Sequence, residues 1–303
     1  MGILESGLAA LGLAPVRVTE LAGDASHRRF FRVVLADGAS IVAGLYPPGQ
    51  EPQAERDHRV QLWGWGRGLP IPRPLGREGL VTTSQDVGDA DLDRVHAARD
   101  EGVLTLALET LAAFQECELA GLPTAPFDAA FFRAELAVFE EHALPDSVRR
   151  DPEVAAFLDG LAAGLASHPY RLVHRDFHFN NLFLLGGTVW ALDFQDMRGG
   201  PDTYDLASLL RERGGASLAG AESTWVERAA ARLRWAAGWE TRYLECAAQR
   251  GLKVLGTFLR LAARGRAGYL RWLPDVRGRA GAALATLSAP RGLRRAVADL
   301  QGL

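Results

Sequence analysis

Lysine is almost absent from this chain. Of its 303 residues, 34 are lysine or arginine, and Lys253 is the one lysine among them. A role that usually falls to lysine must therefore be taken by arginine or be dropped. Cysteine is scarce as well. Cys117 and Cys246 are too few for a disulfide framework, so we expect both to be buried, reduced side chains.

Long apolar runs and an excess of positive charge are also missing. No stretch approaches the ~18 apolar residues needed to cross a bilayer, and no basic segment precedes an apolar one as in a signal peptide. The formal net charge is −3, whereas nucleic-acid binders need basic residues for phosphate contacts. We therefore expect a cytoplasmic protein with no nucleic-acid and no membrane partner. The oligomeric state stays open.

The sequence does contain an ordered change of periodicity. β-rich runs and one helical segment fill the first third, at 16–21, 29–35, 40–46, 51–66 (the helix) and 80–85. Helical spacing follows, at 100–119, 127–142, 152–167, 203–213, 223–248 and 253–263, and a β island at 170–174, 182–185 and 189–193 interrupts it. This order predicts an α+β, two-lobed fold, with a small β-rich lobe at 1–86 and a larger, mainly helical lobe at 87–303.

The polar residues of the β island form the candidate site. Asp176 and Asn181 are five positions apart, and Asp193 ends the next strand. Phosphoryl transfer needs a carboxylate that accepts the proton of the attacking hydroxyl. It also needs an amide oxygen and a second carboxylate that hold Mg²⁺ against the phosphates of ATP. The spacing of Asp176 and Asn181 matches that of a kinase catalytic loop.

Two other interpretations of this segment stay open. Asp176 and Asn181 could cap turns, with Asp193 closing a hairpin. His174, Asp176 and His178 could instead bind a hydrolytic metal such as zinc, although no further His or Cys lies nearby in the sequence to complete a ligand set.

The string 174–181, followed by Asp193, resembles the signature of the aminoglycoside phosphotransferase and choline kinase superfamily, relatives of the protein kinases. The strings 23–32, 192–196, 200–211 and 250–258 resemble, more narrowly, bacterial anomeric kinases for N-acetylmuramate and N-acetylglucosamine. The resemblance spans nearly the whole chain. It implies a bilobal protein-kinase-like fold and transfer of phosphate to a small-molecule sugar in peptidoglycan recycling, with ATP and Mg²⁺ bound between the lobes.

The resemblance also implies a role for each candidate residue. Asp176 would be the catalytic base, and Asn181 and Asp193 would be the Mg²⁺ ligands. The residues implied for ATP are Gly23, Asp24, Ser26, Arg28 and Arg32 around the phosphates, and Gln85 and Asp86 at the hinge between the lobes. The residues implied for the sugar are Arg175, His178, Gln195 and Asp196.

One departure from the general kinase pattern concerns the third strand, 41–46, which has no lysine to meet the phosphates. Arg28, Arg29 or Arg32 is the expected substitute, with Glu55 as its partner. Asp205 is expected to brace the backbone of the catalytic loop or to stabilise a helix N-terminus.

Other acceptors on the same fold are an aminoglycoside, choline or another sugar. A polycationic acceptor would call for an acidic cleft, to which Glu135, Glu140 and Glu141 could contribute. A hypothesis from a different class is a nucleotide-binding scaffold without catalysis, for which the missing lysine is the only support.

Overall fold

An antiparallel sheet forms the amino-terminal part of the protein, in a computed structural model that describes residues 2–21, 28–95, 100–212, 218 and 220–301. The sheet has five strands in the order β1-β2-β3-β5-β4. They are β1 (Pro15–Leu21), β2 (Arg29–Leu35), β3 (Ser40–Leu45), β4 (Pro74–Glu78) and β5 (Val81–Gln85). Helices α1 (Ile3–Ala10) and α2 (Glu51–Trp65) contact β4 and β5, and together these elements form the N-lobe.

Helices dominate the rest of the chain, the C-lobe. They are α3 (Glu101–Glu116), α4 (Ala129–Ala143), α5 (Asp146–Arg149), α6 (Pro152–Ser167), α7 (Tyr204–Arg211), α8 (Glu222–Leu233), α9 (Trp239–Ala263), α10 (Leu273–Thr286) and α11 (Arg291–Ala298). Two antiparallel strand pairs join them: β6 (Tyr170–Val173) with β9 (Arg198–Pro201), and β7 (Leu182–Leu185) with β8 (Thr188–Ala191). The predicted α+β arrangement of a small β-rich lobe and a larger helical lobe is confirmed. The boundary at residues 86 and 87 stays a prediction.

Alternating side chains explain why the N-lobe strands form where the sequence predicts them. Phe31 and Val33 of β2 and Ile41 and Ala43 of β3 are buried in one cluster, and the residues between them point the other way. Because a strand repeats every two residues, one face of the sheet packs on α1 and the other carries polar groups. Arg32 of β2 therefore faces away from this cluster.

The predicted helices 223–248 and 253–263 are wrong in their boundaries. The chain breaks earlier, between α8 and α9, where Arg234 and Gly238 have positive φ angles of 52° and 81°. Helix α9 then runs unbroken through Gly251. A Cβ on Gly251 would lie 2.8 Å from the Cβ of Ala280 in α10, so this glycine allows close helix packing and does not end the helix.

A second glycine of α9 lies against α4. A Cβ on Gly256 would lie 2.6 Å from the Cα of Phe139, closer than real Cβ atoms approach backbone. Helix α9 is therefore packed tightly on α4 and α10. No helix in the described residues is both long enough and apolar enough to span a membrane.

Candidate active site

The loop after β6 and the turn after β8 meet at the cleft between the lobes. Leu192 donates its backbone N–H to the Asn181 carbonyl oxygen at 2.8 Å, because β7 and β8 pair as neighbours in a hairpin. This pairing brings Asn181 next to Asp193. Asn181 Nδ2 also donates to the backbone oxygen of Asp176 at 2.9 Å. The three residues of the predicted phosphoryl-transfer set therefore lie together.

The cleft itself has a volume of about 240 Å³. It is lined from the N-lobe by Arg28, Tyr46, Gln50, Gln53, Arg56 and Asp57, and from the C-lobe by Asp176, Asp193, Gln195 and Asp196. The side chain of Asp176 is 33% exposed, so a bound molecule can reach its carboxylate.

Two residues of this site adopt left-handed backbone conformations, Arg175 with φ 82° and Asp193 with φ 61°. Such conformations are costly for residues other than glycine and persist where surrounding contacts hold them. Buried Asp205 supplies those contacts at the first position, since its carboxylate accepts the backbone N–H of His174 at 2.5 Å and of Arg175 at 2.9 Å. The predicted brace is confirmed. Burial raises the pKa of Asp205 to about 7, although the two N–H donors act to lower it.

Cations surround the carboxylate of Asp176. Arg250 Nη2 lies 3.5 Å and Lys253 Nζ 3.7 Å from Asp176 Oδ1. Burial acts to raise the pKa of Asp176, but the charges of Lys253 and Arg250, with that of Arg175, lower it well below its ordinary range. Asp176 is therefore ionised at neutral pH.

Arg28 connects the N-lobe to Asp193. Its guanidinium donates to Asp57 of α2 at 3.2 Å and to Asp193 at 3.1 Å. Asp57 is buried and also accepts a hydrogen bond from the Tyr46 hydroxyl at 2.9 Å. The prediction that Glu55 is the partner of this arginine is wrong. It lies on the exposed face of α2, whereas Asp57, two positions further on, faces the cleft.

The acceptor-side candidates form a second charged group. Arg175 donates to Asp196 at 2.7 Å and to Glu135 of α4 at 3.1 Å, and its guanidinium lies over the ring of Phe131. Asp196 also receives a hydrogen bond from Arg56 at 3.3 Å. Arg175 and Asp196 therefore link α4 to α2 across the cleft.

Gln195 and His178 differ in their access to the cleft. Gln195 lines it and donates Nε2 to Asp193 Oδ1 at 3.1 Å. His178 is 5% exposed, and its ring lies 3.4 Å from Asn181 Nδ2. The structure thus places His178 behind the loop and not at the cleft surface, because the short 3-10 helix Phe179–Asn181 turns the chain inward after it.

The remaining nucleotide candidates lie at the hinge or outside the described residues. Arg32 makes ion pairs with Asp86 at 2.6 Å and Asp89 at 2.8 Å, and Gln85 contacts the backbone of Arg73. The lining of the cleft does not include Arg32, Gln85 or Asp86. Gly23, Asp24 and Ser26 lie outside the described residues.

The donor chemistry of the site fits Mg²⁺. Asn181 uses Nδ2 as a donor, which leaves its amide oxygen as the acceptor, and the side chain of Asp193 is 53% exposed. Mg²⁺ takes one or two protein oxygens and fills its other positions with water and phosphate. In the part of the chain that the structure describes, no three His, Cys, Asp or Glu side chains are grouped to hold a metal. The zinc interpretation of His174, Asp176 and His178 is therefore wrong.

Three residues of this site were missed by sequence reasoning: Asp57, Arg250 and Lys253. Each comes from a helix remote in sequence from the catalytic loop, so no local spacing could identify it. Lys253 alone carried a signal, because it is the one lysine in a chain that otherwise uses arginine.

A small antiparallel sheet, a helical lobe and a polar cleft at their junction define a protein of the protein-kinase-like class. A thermostable mutant of aminoglycoside phosphotransferase APH(4)-Ia, in ternary complex with AMP-PNP and hygromycin B, superposes with a TM-score of 0.66 at 17% identity. The match covers 96% of this chain and 100% of that one. At this identity the likeness establishes the fold.

The chain belongs to the phosphotransferase enzyme family, whose sequence model matches residues 17–248. It is 30% identical over 289 residues to the N-acetylmuramate/N-acetylglucosamine kinase of Pseudomonas aeruginosa, covering 86% of this chain and 81% of that protein. The protein of the same name from Pseudomonas putida is 30% identical over 282 residues, with 86% and 80% covered. The resemblance stated from the motifs is confirmed.

Proposed function

We propose that this protein is an ATP- and Mg²⁺-dependent kinase that phosphorylates the anomeric hydroxyl of N-acetylmuramate, N-acetylglucosamine or both. The observation that carries the proposal is that Asp176 and Asp193 line one cleft and Asn181 lies beside them. The names of the similar proteins support the acceptor, and the AMP-PNP complex of the structural neighbour supports the nucleotide.

In this proposal Asp176 orients the C1 hydroxyl and accepts its proton. The oxygen of that hydroxyl forms a bond to the γ-phosphorus, and the bond from the γ-phosphorus to the β–γ bridging oxygen breaks, which gives ADP and a sugar 1-phosphate. Asp176 suits this role because it is ionised and partly exposed. Asp205 holds the loop that carries it.

The Mg²⁺ ligands of the proposal are the amide oxygen of Asn181 and the carboxylate of Asp193. When bound, Mg²⁺ neutralises the charge that develops on the transferred phosphoryl group. Arg28 would contact the phosphates, because it already lies at Asp193 and is held there by Asp57. Gly23, Asp24 and Ser26 are proposed to bind the phosphates on the resemblance alone, and Gln85 and Asp86, with Arg32 bound to Asp86, would form the adenine hinge.

The charges of the cleft favour a sugar over an aminoglycoside. Glu135 is engaged by Arg175, Gln249 and Lys253. Glu140 is engaged by Arg133 on the same helix, and Glu141 is exposed. Glu135 and Glu140 are thus already paired with cations and are not free to bind a polycationic acceptor. In the proposal Arg175, Gln195 and Asp196 contact the sugar, and His178 supports the loop beneath them.

The product would be a sugar 1-phosphate, the form that a uridylyltransferase uses. In this proposal the reaction belongs to peptidoglycan recycling in the cytoplasm, with a small-molecule substrate as the partner.

A coupled assay of ADP release tests the proposal. It compares N-acetylmuramate, N-acetylglucosamine, other hexosamines, aminoglycosides and choline at equal concentration, with and without Mg²⁺. We expect release with the two N-acetylated sugars only, and NMR of the product should place phosphate at C1. Release with choline or an aminoglycoside instead would contradict the acceptor, and binding of ATP without any release would indicate the scaffold.

A further inference from the structure

The one lysine of the chain lies beside the proposed catalytic base. Lys253 Nζ is 3.7 Å from Asp176 Oδ1 and 3.5 Å from Glu135 Oε1. Its side chain is 15% exposed, whereas that of Arg250, the other cation on Asp176, is 2% exposed and paired with Glu212. Lys253 does not itself line the cleft, but it is partly exposed and lies next to Asp176, which does, so of these two cations it is the one open to a molecule bound at Asp176.

The ammonium of Lys253 has hydrogen-bonding capacity left for a ligand. An ammonium carries three N–H donors, and a charge-assisted hydrogen bond is about 2.7–2.9 Å long. Both ion-pair contacts of Lys253 exceed that length, and no closer polar contact to it exists among the described residues. Glu135 and Asp176 hold the charge in place without satisfying its donors. An oxygen atom of a bound molecule could accept a hydrogen bond from this ammonium.

Lys253 approaches Asp176 from the side of the C-lobe. Its helix, α9, packs on α4, α6, α7 and α10. Arg28, which is proposed to bind the nucleotide, approaches from the opposite lobe. It lies next to β2, is held by Asp57 of α2 and contacts Asp193. The acceptor hydroxyl has to lie at Asp176, on the side away from the phosphates. The ammonium of Lys253 is therefore on the acceptor side of the base.

The rarity of lysine supports a specific role at this position. The chain uses arginine at every other basic position. Arginine and lysine are not equivalent where space is restricted, because a guanidinium is a broad planar fork and an ammonium is a compact point charge. The space around Lys253 is already occupied by the guanidinium of Arg175 and the amide of Gln249, both bound to Glu135.

We propose that Lys253 contacts the acceptor: its ammonium donates a hydrogen bond to a sugar oxygen beside the hydroxyl that Asp176 binds, and Glu135 keeps it in that position. The inference rests on the proposed function and extends it to a substrate class. The acceptor is a neutral or anionic molecule rich in oxygen, because a polyammonium acceptor would be repelled by the charge of Lys253.

Steady-state kinetics of Lys253→Met test this contact, with Arg264→Met as the control. Arg264 is an exposed cation at the C-terminal end of the same helix, so its loss changes the charge without touching the cleft. We expect Lys253→Met to raise KM for N-acetylglucosamine at least tenfold and to leave the Kd of AMP-PNP with Mg²⁺ within twofold. Arg264→Met should match the unmodified protein.

Two contrary results have different meanings. An unchanged sugar KM in Lys253→Met, or an equal loss of nucleotide affinity, would overturn the role of Lys253 alone. Absence of sugar-dependent ADP release by the unmodified protein would overturn the proposed function.

A second measurement needs no variant. Reductive methylation at pH 9 can modify the N-terminal amine and one lysine, so mass spectrometry reports Lys253 directly, with the terminus as internal control. Saturating N-acetylglucosamine should slow methylation of Lys253 at least fivefold, and AMP-PNP with Mg²⁺ should slow it less than twofold. Methylation that the sugar does not slow, or that nucleotide alone slows equally, would overturn the inference.

Discussion

Arg28 of the N-lobe donates to Asp193 of the C-lobe at 3.1 Å, although the two residues are 165 positions apart. The same guanidinium is held by Asp57 of α2. In kinases a lysine of the third strand and a helix glutamate form the corresponding pair at the phosphates. Here Arg28, next to the second strand, and Asp57, on helix α2, lie in the cleft, and Arg28 contacts Asp193.

Replacing Asp57 should therefore weaken nucleotide binding. In Asp57→Asn the carboxylate that holds Arg28 beside Asp193 loses its charge, so Arg28 is no longer fixed where the phosphates would bind. We expect the Kd of AMP-PNP with Mg²⁺ to rise about tenfold, or ~1.4 kcal/mol, in isothermal titration calorimetry. Glu55→Gln, on the exposed face of the same helix, is the matched control. Equal affinities in the two variants would contradict this role of Arg28 and Asp57.

Asp176→Asn should separate binding from chemistry. The amide keeps the shape of the side chain but cannot accept the proton of the sugar hydroxyl, so kcat should fall by about 10²–10⁴-fold. AMP-PNP affinity should remain within a few-fold, because Arg28 and Asp193 are untouched. A kcat above about a tenth of the original, measured by ADP release, would mean that Asp176 is not the base.

Asp193→Ala should remove the Mg²⁺ dependence of nucleotide binding. The variant lacks the carboxylate that would hold the metal against the phosphates. In a thermal-shift titration with ATP, added Mg²⁺ should no longer increase the melting temperature, whereas exposed Asp146→Ala should behave as the unmodified protein does. A persistent Mg²⁺ effect in Asp193→Ala would contradict the metal-binding role and support the alternative that Asp193 closes the hairpin.

The buried carboxyl of Asp205 predicts a pH-dependent stability. Burial raises its pKa from 3.8 to about 7 in the folded protein, so between these values the folded state keeps a proton that the unfolded chain has lost. Stabilisation by that proton is complete below pH 3.8 and is lost as the pH rises to about 7. The unfolding free energy of the unmodified protein, minus that of Asp205→Asn, should fall by about 1.4 kcal/mol per pH unit in this window and level off above it.

Urea denaturation at pH 5, 6, 7 and 8 measures this difference, since other titrating groups are shared by both proteins. A difference that increases with pH would show that the N–H groups of His174 and Arg175 keep Asp205 ionised.

Local patterns of the sequence were sufficient for most elements and failed where the composition is unusual. β2 and β7 have the predicted bounds, because each is a β-rich run that is followed by a glycine-containing turn. Strands β4 and β9 were missed, since Pro74 and Gly76 in one and a Gly-Gly-Pro sequence in the other are poor strand signals. The predicted interruption between 248 and 253 is absent, because Gly251 lies inside α9 and packs on Ala280, a contact that no local window contains.

The same distinction holds for the active site. Asp176, Asn181 and Asp193 lie within one hairpin and its approach, so sequence spacing is enough to bring them together. Asp57 reaches the cleft and Lys253 reaches Asp176 through the packing of α2 and α9, which depends on many contacts remote in sequence. The role of each of these two residues therefore became visible only in three dimensions.

The close approach of α9 to α4 at Gly256 has a consequence for how this family member can change. Gly256 lies one helical turn after Lys253 in α9, and Phe139 lies one turn after Glu135 in α4. Because Gly256 has no side chain, it sets the separation of Glu135 and Lys253. A single added carbon would widen that gap without altering any charged group. Under the proposed role of Lys253, a substitution at this chemically inert position would be a route by which the acceptor preference shifts while Asp176, Asn181 and Asp193 stay the same.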